Sequence, residues 1–150
     1  MYSGITRGLF PVVQVARAPG LLSYQVDLGP ELSAGLELGA SVAIDGVCQT
    51  VVALEGTRVR FDAIQETLNL TTLDTLEVGR LVSVERSLRI GDELGGHEVA
   101  GHVVGRGEIA EVRLEGHDVA MRVRVPEAFM PHILPKGFAA VDGSSLPARP

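Results

Sequence analysis

An all-β protein assembled from small β-barrels is what this sequence predicts, and three observations lead there. Apolar and polar residues alternate in many short runs, the period of strands rather than helices. Eighteen glycines punctuate those runs, and closure of short strands into a barrel removes exposed sheet edges. The chain also says nearly the same thing twice. SVAIDGVCQT at residues 41–50 and FAAVDGSSLP at residues 138–147 align without a gap, so that Asp45, Gly46 and Cys48 meet Asp142, Gly143 and Ser145 at an offset of 97 (142 minus 45).

The same offset orders the rest of the chain. It lays SGITRG (residues 3–8) over AGHVVG (residues 100–105), pairing Gly4 with Gly101 and Gly8 with Gly105, and then sets Val12 on Ile109 and Val15 on Val112. VVAL, a Glu55-Gly56 turn and TRVRFDAI read as a hairpin. QETLNLTTLDTL (residues 65–76) predicts a short helix, and RLVSVERSL after Val78-Gly79 is a further alternating run. GEIAEVRLEGHDVAMRVRV predicts a second hairpin with Gly116 at its tip, in which MRVRV (residues 121–125) alternates as a half-buried strand should. PEAFMPHIL (residues 126–134) opens on a helix-start proline and predicts a second short helix. Two units follow, 1–97 and 98–150. The first continues for 47 residues beyond Thr50 (97 minus 50) and the second for three beyond Pro147, so the second barrel is expected to be incomplete.

Composition narrows the function classes. With 150 residues, 45% hydrophobic and 21% charged, the chain has the makings of a globular core. Its net charge of −6 and scattered Lys and Arg argue against a nucleic-acid surface, which needs a dense basic patch. No apolar run approaches the ~18 residues of a membrane span, and the N-terminus lacks a signal-peptide layout. One cysteine forms no internal disulfide. The expectation is a cytoplasmic protein, with no nucleic acid and no membrane among its partners.

MYSGITRG, GASVAIDGVCQTV, FDAIQETLNLTTLDTLEVGRLVSVERSLRIGDELGGHEVAGHVVGRG and LPKGFAAVDGSSL resemble riboflavin synthase along almost the whole chain. That family's pattern reads M-F-T-G-I near the start, then N-G-V-C-L-T-V, E-T-L-x-x-T-x-L, G-G-H-x-V-S-G-H-V and K-G-x-x-x-x-D-G-x-S-L-T. The resemblance implies two similar Greek-key barrels, each binding one 6,7-dimethyl-8-ribityllumazine. One lumazine gives a four-carbon unit to the other, yielding riboflavin and 5-amino-6-(ribitylamino)uracil, with no cofactor and no metal. It implies a site between subunits of a homo-oligomer, a trimer in the family, and it admits lumazine synthase as a further partner. A non-catalytic lumazine- or flavin-binding protein, like the lumazine proteins of luminous bacteria, is the alternative.

The residues divide accordingly. Read alone, Cys48 is a small buried hydrophobe and Ser145 an ordinary turn serine; the resemblance makes the first a ligand contact and the second part of the catalytic centre. Ser145, Cys48 or an activated water starts the reaction, and the sequence leaves that choice open. His102 stands where the first unit has Ile5, and an imidazole there can move the protons that deprotonation of the C7 methyl requires. The spacing of His97 and His102 fits no common metal motif. The resemblance assigns Gln49, Thr50, Asp62, Glu66 and Thr67 to the ligand of the first barrel, although Thr67 serves equally well as a helix cap. Gly4, Ile5 and Thr6 match the N-terminal segment lining the site; Gly101, His102 and Val103 do so in the second unit, with Lys136, Ser144 and Leu146 beside Ser145. Pro147 replaces the threonine usual after S-L, the counterpart of Thr50, and removes both a hydroxyl and a backbone donor. The expected protein is a riboflavin synthase by descent whose turnover as these 150 residues is weak or absent.

Overall fold

The computed structural model describes residues 1–149. Residues 9–86 form one closed, six-stranded antiparallel barrel. Its strands are β1 (Leu9–Ala18), β2 (Leu21–Asp27), β3 (Ser41–Ile44), β4 (Val47–Glu55), β5 (Arg58–Ile64) and β6 (Leu81–Arg86), in the spatial order β1-β2-β5-β4-β3-β6. Strands β3, β4 and β5 follow one another through hairpins and β6 returns beside β3, which is Greek-key connectivity. β6 then pairs with β1 (Leu9 with Ser83) and leaves no open edge.

Alternation builds the interior. On β2, Leu22, Tyr24 and Val26 point inward, and on β5 Val59, Phe61 and Ala63 do the same. Tyr24 and Phe61 sit opposite each other in the register, with ring centroids 5.6 Å apart. Each such fully buried side chain stabilises the fold by roughly 1.5–3 kcal/mol. Leu73 and Leu76, both wholly buried, come from the segment between β5 and β6.

That segment departs from the expected single helix. Helix α2 (Gln65–Leu70) stops at Thr71, whose extended backbone is held by its own hydroxyl. The hydroxyl donates to the Thr67 carbonyl (2.7 Å) and accepts from the Leu73 N–H (3.3 Å). A separate 3₁₀ turn, Thr72–Thr75, follows. The proline-led segment is likewise a 3₁₀ turn, Glu127–His132, because Pro131 lies within it. A short helix α1 (Gly29–Ser33) had no counterpart among the sequence expectations.

The remaining residues form two hairpins, β7 (Glu108–Glu115) with β8 (Asp118–Arg124), and β9 (Phe138–Val141) with β10 (Ser144–Pro147). Their registers reproduce those of the barrel. Val12 pairs with Val26 and Gln14 with Gln25 across a bulge; Ile109 pairs with Val123 and Glu111 with Arg122 across a bulge at the same place, each number higher by 97 (109 minus 12). Ser41 pairs with Thr50 and Phe138 with Pro147. The expected half-burial of the MRVRV strand holds at Val123 and Val125, with Arg122 and Arg124 exposed, but not at Met121. Val112, Leu114, Val119 and Met121 are all exposed, because among the described residues no second layer covers that end of the hairpin. No helix among the described residues is long and apolar enough to cross a membrane.

The two Asp-Gly turns meet. Asp45 and Gly46 have φ of 46° and 75°, and Asp142 and Gly143 have 45° and 82°, the left-handed pair that a two-residue hairpin turn requires. A methyl built on Gly46 would overlap the Gly143 backbone nitrogen and stand 2.9 Å from its Cα. Gly56, at a turn with φ of 61°, faces open space. Gly56→Ala is therefore expected to cost about 1 kcal/mol, the left-handed penalty alone. Gly46→Ala is expected to cost at least about 1 kcal/mol more, for the added collision. Urea unfolding midpoints compare the two; equal losses would mean that the turns part easily.

Candidate functional site

The N-terminal segment and residues 96–103 pass between the barrel and the β9–β10 hairpin, beside a cleft at Cys48 and a packed side-chain cluster at Ser145. Tyr2 and Val99 form a β-bridge, with N–H to carbonyl distances of 2.8 and 3.0 Å. This places each glycine of the pair Gly4 and Gly101 against the strand of the opposite unit. The Cys48 N–H donates to the Gly101 carbonyl at 2.9 Å, and the Ser145 N–H donates to the Gly4 carbonyl at 2.8 Å. Both glycines are left-handed, at φ of 76° and 74°, and a side chain on either would strike Cys48 or Ser145. Backbone passes this close only where there is no Cβ.

The first cleft, of about 210 Å³, is lined from the barrel by Val47, Cys48, Glu66, Thr67, Leu70 and Thr71, and closed by Gly101, His102 and Val103. Cys48 is half-buried, and its Sγ accepts a hydrogen bond from the Tyr2 hydroxyl at 3.2 Å. His102 is exposed at the rim. Of the other residues assigned to this ligand, Thr50 shares the outer face of β4 with Cys48 and is exposed. Asp62 is also exposed, and its carboxylate accepts from the Ser23 hydroxyl. Both lie beside the lined volume rather than in it. Gln49 points the other way. It is 5% exposed inside the barrel, accepts from the Tyr24 hydroxyl at 3.2 Å and donates to the Cys48 carbonyl at 3.0 Å. Strand alternation dictates this, since neighbours on a strand face opposite sides.

The packed cluster centres on Ser145, the residue that would face a second cleft. Its Oγ lies 2.7 Å from His97 Nδ1, and the imidazole stacks on Phe138 with centroids 5.1 Å apart and planes 14° apart. When Nδ1 is unprotonated the hydroxyl donates to it, the relation of a nucleophile to its base. Gly96 also packs on Ser145, leaving 3.0 Å between a built Cβ and the serine Cβ. Ser144 and Leu146 flank Ser145 half-buried on β10, and Lys136 is exposed with φ of 63°, its N–H donating to the Ala148 carbonyl. Ile5 is exposed near Gly95, and Thr6 is half-buried. The two lining segments are thus exchanged: residues 101–103 complete the cleft of the first barrel, while Gly4 packs on Ser145. His102 lines the Cys48 cleft and Ser145 does not.

Two residues were missed by sequence reasoning. His97 was weighed only as half of a metal pair; its signal was the Gly95-Gly96 before it, which lets a backbone approach closely. Glu85 interrupts an alternating strand with a charge and is 3% exposed. Its carboxylate accepts from the Ser3 N–H (2.7 Å), the Ser3 hydroxyl (2.7 Å) and the Gly4 N–H (3.0 Å). No periodicity signals such a role.

Comparison with known proteins agrees with this geometry. The lumazine binding domain profile matches residues 3–87. The riboflavin synthase of Escherichia coli (strain K12) is 38% identical over 147 residues, spanning 97% of this chain and 69% of the relative. That of Brucella abortus (strain 2308) is 43% identical over 153 residues, spanning 97% of this chain and 74% of the relative. Among solved structures, LumP complexed with riboflavin superposes with a TM-score of 0.90 at 23% identity, covering 99% of this chain and 80% of LumP. LumP complexed with 6,7-dimethyl-8-(1'-D-ribityl) lumazine gives 0.87 at 22%. At that identity the likeness to LumP speaks for the fold.

Glu85 links the barrel to Ser145, because the Gly4 it holds is the residue that packs on that serine. Glu85→Gln removes a charged acceptor, an effect of about 1.5–3 kcal/mol. The amide protons of Ser3 and Gly4 are expected to exchange faster by about tenfold or more in consequence. Nuclear magnetic resonance hydrogen exchange checks this; unchanged protection would assign the segment to the Tyr2–Val99 bridge alone.

Proposed function

The chain belongs to the riboflavin synthases, a family built on the lumazine binding domain, and from that membership we propose how its two sites act. Each takes one 6,7-dimethyl-8-ribityllumazine, and the pair dismutates by transfer of a four-carbon unit, giving riboflavin and 5-amino-6-(ribitylamino)uracil. The observation that carries this reading is the pair of crossed bonds, Cys48 to Gly101 and Ser145 to Gly4, which give these two side chains backbone settings of like construction in one chain. Two identical substrates call for two like sites, and the matched registers support descent of residues 1–97 and 98–150 from one repeated unit.

In this reading the first cleft holds the ligand between Cys48 and residues 101–103, with Glu66 and Thr67 as polar contacts and Thr50 and Asp62 along the outer face for the ribityl chain. A polyol needs several such partners, since each unpaired buried polar group costs about 1–3 kcal/mol. His102 moves protons at the rim, and Ser145, polarised by His97, stands at the centre of the second site with Lys136 nearby. In this reading two bound rings react when the Cys48 site of one subunit faces the Ser145 site of another. Holding two rings face to face supplies much of the acceleration. A homo-oligomer, contact with lumazine synthase and a cytoplasmic location complete the proposal.

A second reading, a lumazine or flavin carrier without turnover, is favoured by one observation. Pro147 pairs with Phe138 where Thr50 pairs with Ser41, so the second site lacks the hydroxyl its counterpart has. Mixing the purified chain with 6,7-dimethyl-8-ribityllumazine and following riboflavin absorbance separates the two. Slow riboflavin formation in proportion to protein is expected. Bound lumazine without riboflavin would establish the carrier, and no binding would overturn both. Cys48→Ala is expected to weaken lumazine binding about tenfold, the scale of one lost polar contact. His102→Ala is expected to slow turnover about a hundredfold while leaving binding nearly unchanged. Fluorescence titration and initial rates measure the two effects.

A further inference from the structure

Tyr2 is wedged between the two walls of the first cleft. It is 1% exposed, and its backbone is bridged to Val99. A side chain built on Gly101 would lie 2.8 Å from its ring, and its hydroxyl donates to Cys48 Sγ at 3.2 Å. Burial pushes the phenol well above the ordinary tyrosine range, and the bond to Cys48 raises it further. The hydroxyl therefore keeps its proton at neutral pH and acts as a donor. An O–H directed into one sulfur lone pair fixes the thiol from behind, and leaves its S–H and its other lone pair to the cleft.

We propose that Tyr2 is a positioning residue of the first cleft, its hydroxyl setting the orientation of the Cys48 thiol while its ring seats the Gly101–His102 backbone beside it. The ligand then meets a thiol and an imidazole in one fixed arrangement. The proposal rests on the reading that Cys48 faces lumazine, and its test separates the two.

Tyr2→Phe keeps the ring, and with it the packing on Gly101, while removing the hydroxyl alone. The chain has one cysteine, so its S–H stretching band in the Raman spectrum belongs to Cys48. Without ligand, that band is expected to shift and broaden in Tyr2→Phe as the thiol loses its fixed rotamer. In fluorescence titration with 6,7-dimethyl-8-ribityllumazine, the Kd is expected to rise about threefold to tenfold. In a Cys48→Ala background the same change is expected to alter the Kd less than about twofold, because the hydroxyl then has no sulfur to hold. An unchanged S–H band, or an equal loss with and without the sulfur, overturns the proposal and leaves Tyr2 as packing. Should the unmodified chain bind no lumazine, the functional reading fails, and the S–H band by itself still decides whether Tyr2 holds Cys48.

Discussion

Gly46 and Gly143 approach each other so closely that a methyl on Gly46 would occupy the other's peptide, and the placement of Cys48 and Ser145 depends on that approach. Each glycine closes an Asp-Gly turn, and two residues beyond each turn stands Cys48 or Ser145. The strands that carry these side chains therefore start from one junction. Ser83 on β6 holds both turns there: its N–H donates to Asp45 Oδ1 at 2.7 Å and its hydroxyl to the Asp142 carbonyl at 2.7 Å. The N-terminal segment and residues 96–103 then cross over the junction, each donating its glycine to the opposite strand. Rigidity at a functional site is worth most when it comes from backbone, which has few alternative rotamers to adopt.

The junction is held by carboxylates that the barrel buries. Burial raises the Asp45 carboxyl above the ordinary range, while the Ser83 N–H and the Arg80 guanidinium, 3.0 Å away, oppose that shift. Glu85 spends all of its hydrogen-bonding on Ser3 and Gly4. An uncompensated buried charge destabilises by several kcal/mol, so these residues tolerate little movement in what they hold. Arg80 extends the same connection to the 3₁₀ turn, donating to the Thr72 carbonyl (3.3 Å) and the Thr75 hydroxyl (2.6 Å). A chain of polar contacts thus runs from the Asp45 turn to the segment that plugs one end of the barrel.

How much of this was legible follows from what each residue depends on. Strands such as β2 and β5 announce themselves, because one buried face writes a period of two into the sequence. The Asp-Gly turns were equally plain, since their left-handed backbone admits few residues. Residues 97 apart hold matching registers in β1–β2 and β7–β8, and the bulge they share had no signal in the sequence. Gln49 misled because family correspondence gave it a ligand role, while its position on β4 turns its side chain inward. The half-burial expected of MRVRV holds at Val123 and Val125 but stops at Met121, because alternation alone cannot say how far a covering layer reaches. His97 and Glu85 were illegible for a deeper reason: each is defined by a partner some 50 or 80 residues away, Ser145 for one and Gly4 for the other. The exchange of the two glycine segments was hidden for the same cause, as a repeat shows which residues correspond but not which half each one serves.

The Tyr2–Val99 bridge has a consequence for the order of events during synthesis. The barrel closes through Leu9 and Ser83, so no sheet is edge-free until most of the first unit has left the ribosome. Glu85 lies on the closing strand and ties Ser3 and Gly4 as the barrel completes. Tyr2 and the Gly4 carbonyl wait longer, since Val99 and Ser145 are made later. The first segment made is therefore tied down in two stages, one by the barrel and one by the residues that follow it.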